Sequence, residues 1–313
     1  MLAFLGRRLL ATIPVLLIVS VLVFLLLRLT PGDPAAILAG DQATTEQIAQ
    51  IRENLGLNRS IPAQYLIWLG HMLQGDLGQS FYYKTEVVTL IGQRIEPTLS
   101  LALITIVVAV LVSVPLGVLA AWRHGGWLDR GLMAFSVLGF SIPVFVLAYL
   151  LIWLLSMRLG WLPVQGYVRL SNGVGPWLYQ LLLPSITLSV IYIALIARVT
   201  RAAVLETLGE DYIRTARAKG LPEAKVLLRH ALANAAVPII TVIGIGIALL
   251  IGGVVVTESV YAIPGLGRLT VDAVLARDFP TIQGIILFFS FVYVLVNLLV
   301  DLSYVFFDPR IRY

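Results

Sequence analysis

The chain has 313 residues, of which 59% are hydrophobic and only 12% charged, with mean hydropathy +0.94 and net charge +5. A soluble domain carries about a quarter charged residues, so this composition excludes an ordinary soluble enzyme and predicts a chain solvated largely by lipid. With no cysteine there is no disulfide, thiolate metal site or cysteine nucleophile. The cation surplus is read as membrane topology rather than nucleic-acid affinity, because it clusters in particular loops.

Arg7 and Arg8 precede an uncharged run, Leu9 to Leu27, of about 19 residues, long enough to cross a hydrocarbon core about 30 Å thick. It exceeds the apolar core of a signal peptide, so residues 1–29 are read as an N-terminal segment with a retained first span, and Pro14 is tolerated inside it. Residues 30–96 form a polar, extracytoplasmic insert. It opens Pro31-Gly32-Asp33-Pro34, carries an amphipathic helix over Thr45 to Leu55, and continues through Gly75-Asp76-Leu77-Gly78. Too long for a turn and too poor in core residues for an independent domain, it is open to two readings: a structured loop lying on the membrane face, or a docking module.

Five further spans are predicted within residues 97–307, separated by loops. The second run, Pro97 to Trp122, ends in a tight turn over Arg123 to Arg130. In the third, Gly131 to Met157, Ser141-Ile142-Pro143 predicts a kink. A loop over Arg158 to Gly175 leads to the fourth run, Trp177 to Ala197, with Pro184 near its start. A charged stretch, 198–238, follows. The fifth run, Ala231 to Thr257, carries Gly244, Gly246, Gly252 and Gly253 as points where helices approach closely. A loop from Glu258 to Asp278 contains Ile263-Pro264-Gly265-Leu266-Gly267, then comes the sixth run, Phe279 to Val300, and the tail 308–313. The predicted fold is an all-α integral membrane protein with six transmembrane helices and both termini on one side. Thirteen of the 22 Lys and Arg residues lie at the termini, in the 123–130 turn and in the 198–238 stretch, so the positive-inside rule puts those segments in the cytoplasm.

Polar groups within the spans are sparse. Ser136, Ser141, Thr187 and Ser189 either line a polar pathway or bond to their own helix backbone. Asn297 and Asp301 should face protein or water, with Asp301 at the cytoplasmic interface. Ser141, Pro143 and Asn297 are the candidate pathway residues. His71, His124 and His230 are isolated and lack metal-ligand spacing, so no metal site is expected. There is no Gly-x-x-x-x-Gly-Lys-Ser/Thr loop to hold ATP and no Ser/His/Asp set, so no catalytic activity and no resident cofactor are expected of this chain.

The 198–238 stretch is the only long, charge-dense segment between two apolar runs near the middle of the sequence. Within it, Asp211 to Gly220 predicts a short helix. Asp211 either caps it or favours its first turn, where a carboxylate meets unpaired N–H groups. Arg217 and Lys219 fall at its end, and Gly220 supplies the left-handed stop. Leu221 and Pro222 lead into a second short helix, where a first-turn proline is tolerated. Ala216 and Ala218 give a small-residue face shaped for a groove on another protein.

Tyr212 to Gly220 reads Tyr-Ile-Arg-Thr-Ala-Arg-Ala-Lys-Gly, and this segment resembles the cytoplasmic coupling loop of binding-protein-dependent ABC importer permeases of the dipeptide and oligopeptide type. In the general pattern, Glu-Ala-Ala is followed three residues later by Gly. Here Arg214-Thr215-Ala216 stands in the first position and Gly220 holds the glycine. Arg214 replaces the glutamate, and the downstream proline comes late, at Pro238; both departures suit the peptide subfamily. Pro31-Gly32-Asp33-Pro34 and Gly75-Asp76-Leu77-Gly78 are similar to that subfamily as well, and the resemblance extends over nearly the whole chain.

That resemblance implies a type I ABC importer permease fold that imports peptides, with glutathione or chelated nickel as the alternative cargo. It implies a bacterial inner-membrane location and four kinds of neighbour: a second homologous permease subunit forming a heterodimer, two ABC ATPase subunits that carry ATP and Mg, an extracytoplasmic substrate-binding protein, and the lipid bilayer. Asp211, Tyr212, Arg214, Thr215, Ala216, Arg217, Ala218, Lys219, Gly220 and Leu221 would then form the ATPase-coupling site. A secondary transporter is the less favoured class, because it needs an intramembrane charge relay that the spans do not carry. A passive channel would not need an elaborated knuckle.

Overall fold

The structure is a computed structural model and describes residues 2–29, 35–36, 44–54 and 56–307. These residues are almost entirely helical, with no strand among them and an isolated antiparallel bridge between Gln79 and Glu86. Long apolar runs fold this way in lipid because every backbone N–H and C=O must be paired within the segment. The helices are α1 (Leu2–Leu29), α2 (Thr45–Asn54), α3 (Ile61–Leu73), α4 (Val87–Trp122), α5 (Trp127–Ser141) and α6 (Val144–Leu151), which continues as a π-helical turn over Ile152–Arg158. Then follow α7 (Val174–Leu208), α8 (Asp211–Ala218), α9 (Glu223–Lys225) with a π-helical extension over Val226–Leu232, α10 (Ala236–Val260), α11 (Leu266–Leu275) and α12 (Phe279–Phe307).

By length and composition α4, α7 and α12 are each long and apolar enough to cross a membrane, and two bent helix pairs reach that length and hydropathy only when each pair is taken together. The sixth apolar segment is Leu10–Leu26 of α1, about 26 Å long at 1.5 Å per residue. The six predicted runs therefore all lie on helix, but their form differs from expectation in several places. The third run is not one kinked span: α5 and α6 meet at 105°. Pro143 drives Ile142 out of the helical region, to φ −89° and ψ 120°, because its ring clashes with a helical predecessor. The fifth run is bent by 65° where the extension of α9 meets α10, and Pro238 falls in the first turn of α10, where a missing N–H is harmless.

Two boundaries also move. Helix α4 starts at Val87, inside the expected insert, and runs through Pro97; helix α7 runs past Ala197 to Leu208, because Ala203 and Val204 find apolar cover. Finally, the expected loop from Glu258 to Asp278 is largely helical, with Glu258 in the last turn of α10 and α11 in its middle. The Pro31-Gly32-Asp33-Pro34 motif, Leu55 and the tail 308–313 lie outside the described residues.

The chain divides into two compact units, Ile95–Arg268 with the chain from Leu295, and Leu2–Arg94 with Leu269–Val294. In the first, α7 is the central element: Leu181, Leu183, Leu188, Tyr192 and Ile196 are buried in one core with Leu101 of α4, Ala148 of α6 and Leu250 and Val254 of α10. Small residues set the spacing. A Cβ on Gly139 of α5 would come within 3.1 Å of Ala194, and one on Gly253 of α10 within 3.0 Å of Leu188. In the second unit, Asp278 is buried just before α12 and accepts from the Ser80 hydroxyl, from the Phe81 N–H at 2.8 Å and from the Thr281 hydroxyl at 2.6 Å. This ties the segment before α4 to the start of α12 within that unit.

Candidate functional site

Two residues, Gly209 and Glu210, separate α7 from α8. Glu210 occupies the N-cap position in extended conformation without a side-chain bond to the helix, and Asp211 sits in the first turn. Of the two roles open to Asp211, the structure therefore supports the dipole one. Its carboxylate is almost wholly exposed and lies 3.3 Å from Arg214 Nη1, a geometry worth little in water.

One face of α8 is fixed to the chain's own core. Ile213 and Ala216 are buried with Val118 and Ala121 of α4, Ala203 and Val204 of α7, and Val226 and Leu227 after α9. Ala216 thus does not present the small-residue face expected of it, since it faces inward. The outward face consists of Asp211, Tyr212, Arg214, Thr215, Arg217, Ala218, Lys219 and Gly220.

The end of α8 is closed as the sequence anticipates. Gly220 has φ +75°, its N–H bonds to the Arg217 carbonyl at 2.9 Å, and the Leu221 N–H bonds to the Ala216 carbonyl at 3.3 Å. This is the paired bonding of a Schellman stop. Leu221 packs half-buried on the same core. Across the break, Arg217 donates to Glu223 at 2.6 and 3.2 Å, and that hydrogen bond raises the guanidinium pKa further above its ordinary value. Pro222 takes the N-cap position of α9 rather than its first turn. The result is a closed, cation-rich knuckle that continues on its N-terminal side into α7.

The site is braced by a cluster that the sequence does not announce. Asp129, at the start of α5, is buried and takes both Nε and Nη2 of Arg201 on α7, the latter at 2.9 Å. The Gly125 N–H and His124 Nδ1 also approach its Oδ2, at 2.9 and 3.1 Å. In the sequence Arg201 is one loop cation among several, and no local signal pairs it with a residue 72 positions earlier.

Of the pathway candidates, Ser141 ends α5, is exposed and donates to the Val137 carbonyl of its own helix at 2.9 Å; Pro143 stands two residues on, at the break, and Asn297 lies on α12. Ser189 likewise bonds to its own helix, at 2.9 Å; Thr187 donates to the Leu183 carbonyl at 2.9 Å and also lies 2.7 Å from the Tyr261 hydroxyl, and Ser136 reaches across to the Ala194 carbonyl at 3.2 Å. What lies beside the break is an apolar cavity of about 240 Å³, lined by Phe140, Val144, Leu188, Ile191, Tyr192, Leu195, Leu249 and Gly253. Among the described residues there is no group of three or more His, Asp or Glu side chains able to hold a metal ion.

A helical multi-pass membrane protein with an exposed helical knuckle and an apolar cavity beside a broken helix has the build of a transporter's membrane subunit. The chain belongs to the family of binding-protein-dependent transport system inner membrane components: the family profile matches residues 113–313, and the companion N-terminal profile matches residues 1–102. It is 54% identical to a "probable peptide ABC transporter permease protein" of Sinorhizobium fredii over 98% of both chains. It is 44% identical to the glutathione transport system permease protein of Pectobacterium atrosepticum over the full length of both. Among solved structures it is similar to the inward-facing MetNI methionine ABC transporter, with TM-score 0.59 and 19% identity over 70% of this chain and 96% of that one. The fold is that of a type I ABC importer permease.

Proposed function

We propose that this chain is the transmembrane permease subunit of an ATP-driven importer of di- and oligopeptides in the bacterial inner membrane, with both termini and the 198–238 segment in the cytoplasm. The carrying observation is the α8 knuckle: an exposed helix whose buried face is packed on the inner core and whose chain passes directly into α7. Asp211, Tyr212, Arg214, Thr215, Arg217, Ala218, Lys219 and Gly220 meet a groove on an ABC ATPase, while Ala216 and Leu221 hold the helix to its base. ATP and Mg bind the two ATPase subunits, not this chain. A second, homologous permease subunit completes the passage, and a binding protein outside delivers the cargo. Closure of the ATPases moves α8, and α7 carries that movement to the cavity wall at Leu188, Ile191, Tyr192 and Leu195. Arg201–Asp129 takes α5, and with it the break at Pro143, along the same path.

Peptide cargo is supported by the Sinorhizobium relative. Glutathione, itself a peptide, is the second reading and is supported by the Pectobacterium relative at 44% identity. The test is ATP hydrolysis by the co-expressed complex in lipid, with and without a binding protein loaded with di- to pentapeptides or glutathione. Stimulation by loaded binding protein is expected, and the stimulating ligand identifies the cargo. Stimulation by glutathione alone would replace the oligopeptide reading, and failure to recover any ATPase with this chain would sink the importer reading altogether.

A further inference from the structure

Helices α2 and α3 are neighbours in the same insert but have opposite surfaces. Helix α2 reads Thr-Glu-Gln-Ile-Ala-Gln-Ile-Arg-Glu-Asn. Its start is closed by reciprocal bonds, Thr44 N–H to Gln47 Oε1 at 2.9 Å and Gln47 N–H to Thr44 Oγ1 at 3.3 Å, the capping box that satisfies two unpaired N–H groups, and most of its described side chains are exposed. Helix α3 reads Ile-Pro-Ala-Gln-Tyr-Leu-Ile-Trp-Leu-Gly-His-Met-Leu, and from Ser60 to Gly75 there is no Asp, Glu, Lys or Arg.

One side of α3 is accounted for within its unit. Tyr65 and Trp68 pack on Phe24 of α1, with ring centroids 5.3 and 5.7 Å away, and the Tyr65 and Ser20 hydroxyls are 2.8 Å apart. The other side is bare: Leu66 and Leu73 are 65% and 76% exposed, and Ile67 41%. At 100° per residue these three lie across the helix from Tyr65 and Trp68, with only Ala63 and Gly70 between them. A helix surrounded by water turns its polar residues outward. This one turns out leucine and isoleucine.

Helix α1 fixes the depth. Ser20 and Phe24 are six and two residues inside the end of the apolar segment Leu10–Leu26, or about 9 and 3 Å at 1.5 Å per residue. An interfacial helix sinks its apolar face about 5–10 Å into the boundary between headgroups and acyl chains. Leu22 and Leu26 of α1 are themselves exposed at that level, so the bare face of α3 continues a surface already given to lipid.

We propose that α3 is a membrane-embedded helix lying in the leaflet at the C-terminal end of α1, with lipid acyl chains against its Leu66–Leu73 face. The insert is thereby split: α2 stays in water and α3 does not.

The test uses the absence of cysteine from the chain, so that a single introduced cysteine reports a single position. Leu66→Cys and Leu73→Cys are labelled with a nitroxide in the assembled complex in phosphatidylcholine–phosphatidylglycerol vesicles. Collision with oxygen, which concentrates in lipid, is compared with collision with a water-soluble nickel chelate. Leu22→Cys on α1 sets the lipid limit and Gln50→Cys on α2 the water limit. Both α3 labels are expected to match Leu22, with an oxygen-to-nickel ratio several-fold above that at Gln50. Labels that meet nickel as readily as Gln50 would overturn the proposal in favour of a water-facing helix. Labels reached by neither reagent would overturn it in favour of a protein occupant, the second permease subunit or the binding protein.

Discussion

Glu258 has no solvent exposure, yet each of its oxygens has a donor: Oε1 takes the Thr98 hydroxyl at 2.6 Å and Oε2 the Arg268 N–H at 3.0 Å. Thr98 in turn accepts the Leu266 N–H at 2.8 Å, so two of the unpaired N–H groups at the start of α11 end on this carboxylate network, where the helix dipole also favours negative charge. Two glycines make room for it. A Cβ on Gly265 would fall inside contact distance of the carboxylate, and one on Gly267 within 2.6 Å of Val255 Cα. Replacing Gly265 by Ala is therefore expected to lower stability by about 1–3 kcal/mol through overpacking. Glu258→Gln keeps the shape but turns one acceptor into a donor, leaving Thr98 or the Arg268 N–H unsatisfied at a cost of about 1–3 kcal/mol. Both are read as a fall in Tm of the purified complex, and an unchanged Tm in either variant would refute the cradle. The Ile-Pro-Gly-Leu-Gly run is visible in the sequence. What it encloses is not, because Thr98 and Glu258 are 160 residues apart.

Helix α8 is legible in the sequence almost to the residue because its signals are local: an acid in the first turn, cations at the end and a glycine at the stop. Which way it faces is not legible, since Ile213 and Ala216 are turned inward by partners on α4 and α7. The space around Gly220 is open, with nothing within 4 Å of the point where a Cβ would stand, so its substitution acts through the left-handed backbone at φ +75°. Gly220→Ala should cost about 1–2 kcal/mol at the end of α8 and reduce ATP hydrolysis stimulated by loaded binding protein. Gly220→Trp should abolish that stimulation while membrane insertion persists, and normal transport by it would break the lever assignment. The α5–α7 brace behaves differently. Arg201→Met leaves Asp129 buried without its partner, which is expected to cost about 3–5 kcal/mol, whereas Asp129→Leu with Arg201→Met removes both charges and should recover most of it. Equal Tm in the single and double variants would show that the ion pair is not what holds α5 to α7. Pro143 tells where the third run is interrupted. It does not tell the 105° angle, which is set by what α6 packs on.

At the scale of the whole chain, hydropathy locates all six apolar segments, because a lipid environment demands the same long runs whatever the tertiary contacts. It fails where a helix outlasts its apolar stretch: α7 continues for a further three turns beyond Ala197, to Leu208, about 16 Å at 1.5 Å per residue. Those turns carry Arg198 and Arg201 and lead, through Gly209 and Glu210, into α8. Sidedness is a separate inference, resting on thirteen of the 22 Lys and Arg residues falling on one side. Because the chain has no cysteine, it can be tested directly. Lys219→Cys, exposed after α8, and Arg169→Cys, exposed between α6 and α7, are treated in spheroplasts with a maleimide that does not cross membranes. Arg169→Cys should react at once, and Lys219→Cys only after the membrane is permeabilised. Reaction of both from outside would mean that α7 does not cross between them. The reverse pattern is what a re-entrant third run would give, with the 105° break returning α6 to the side it came from and α7 then crossing outward. Either result would put α8 outside, where no ATP is available, and would end the coupling role whatever the cargo.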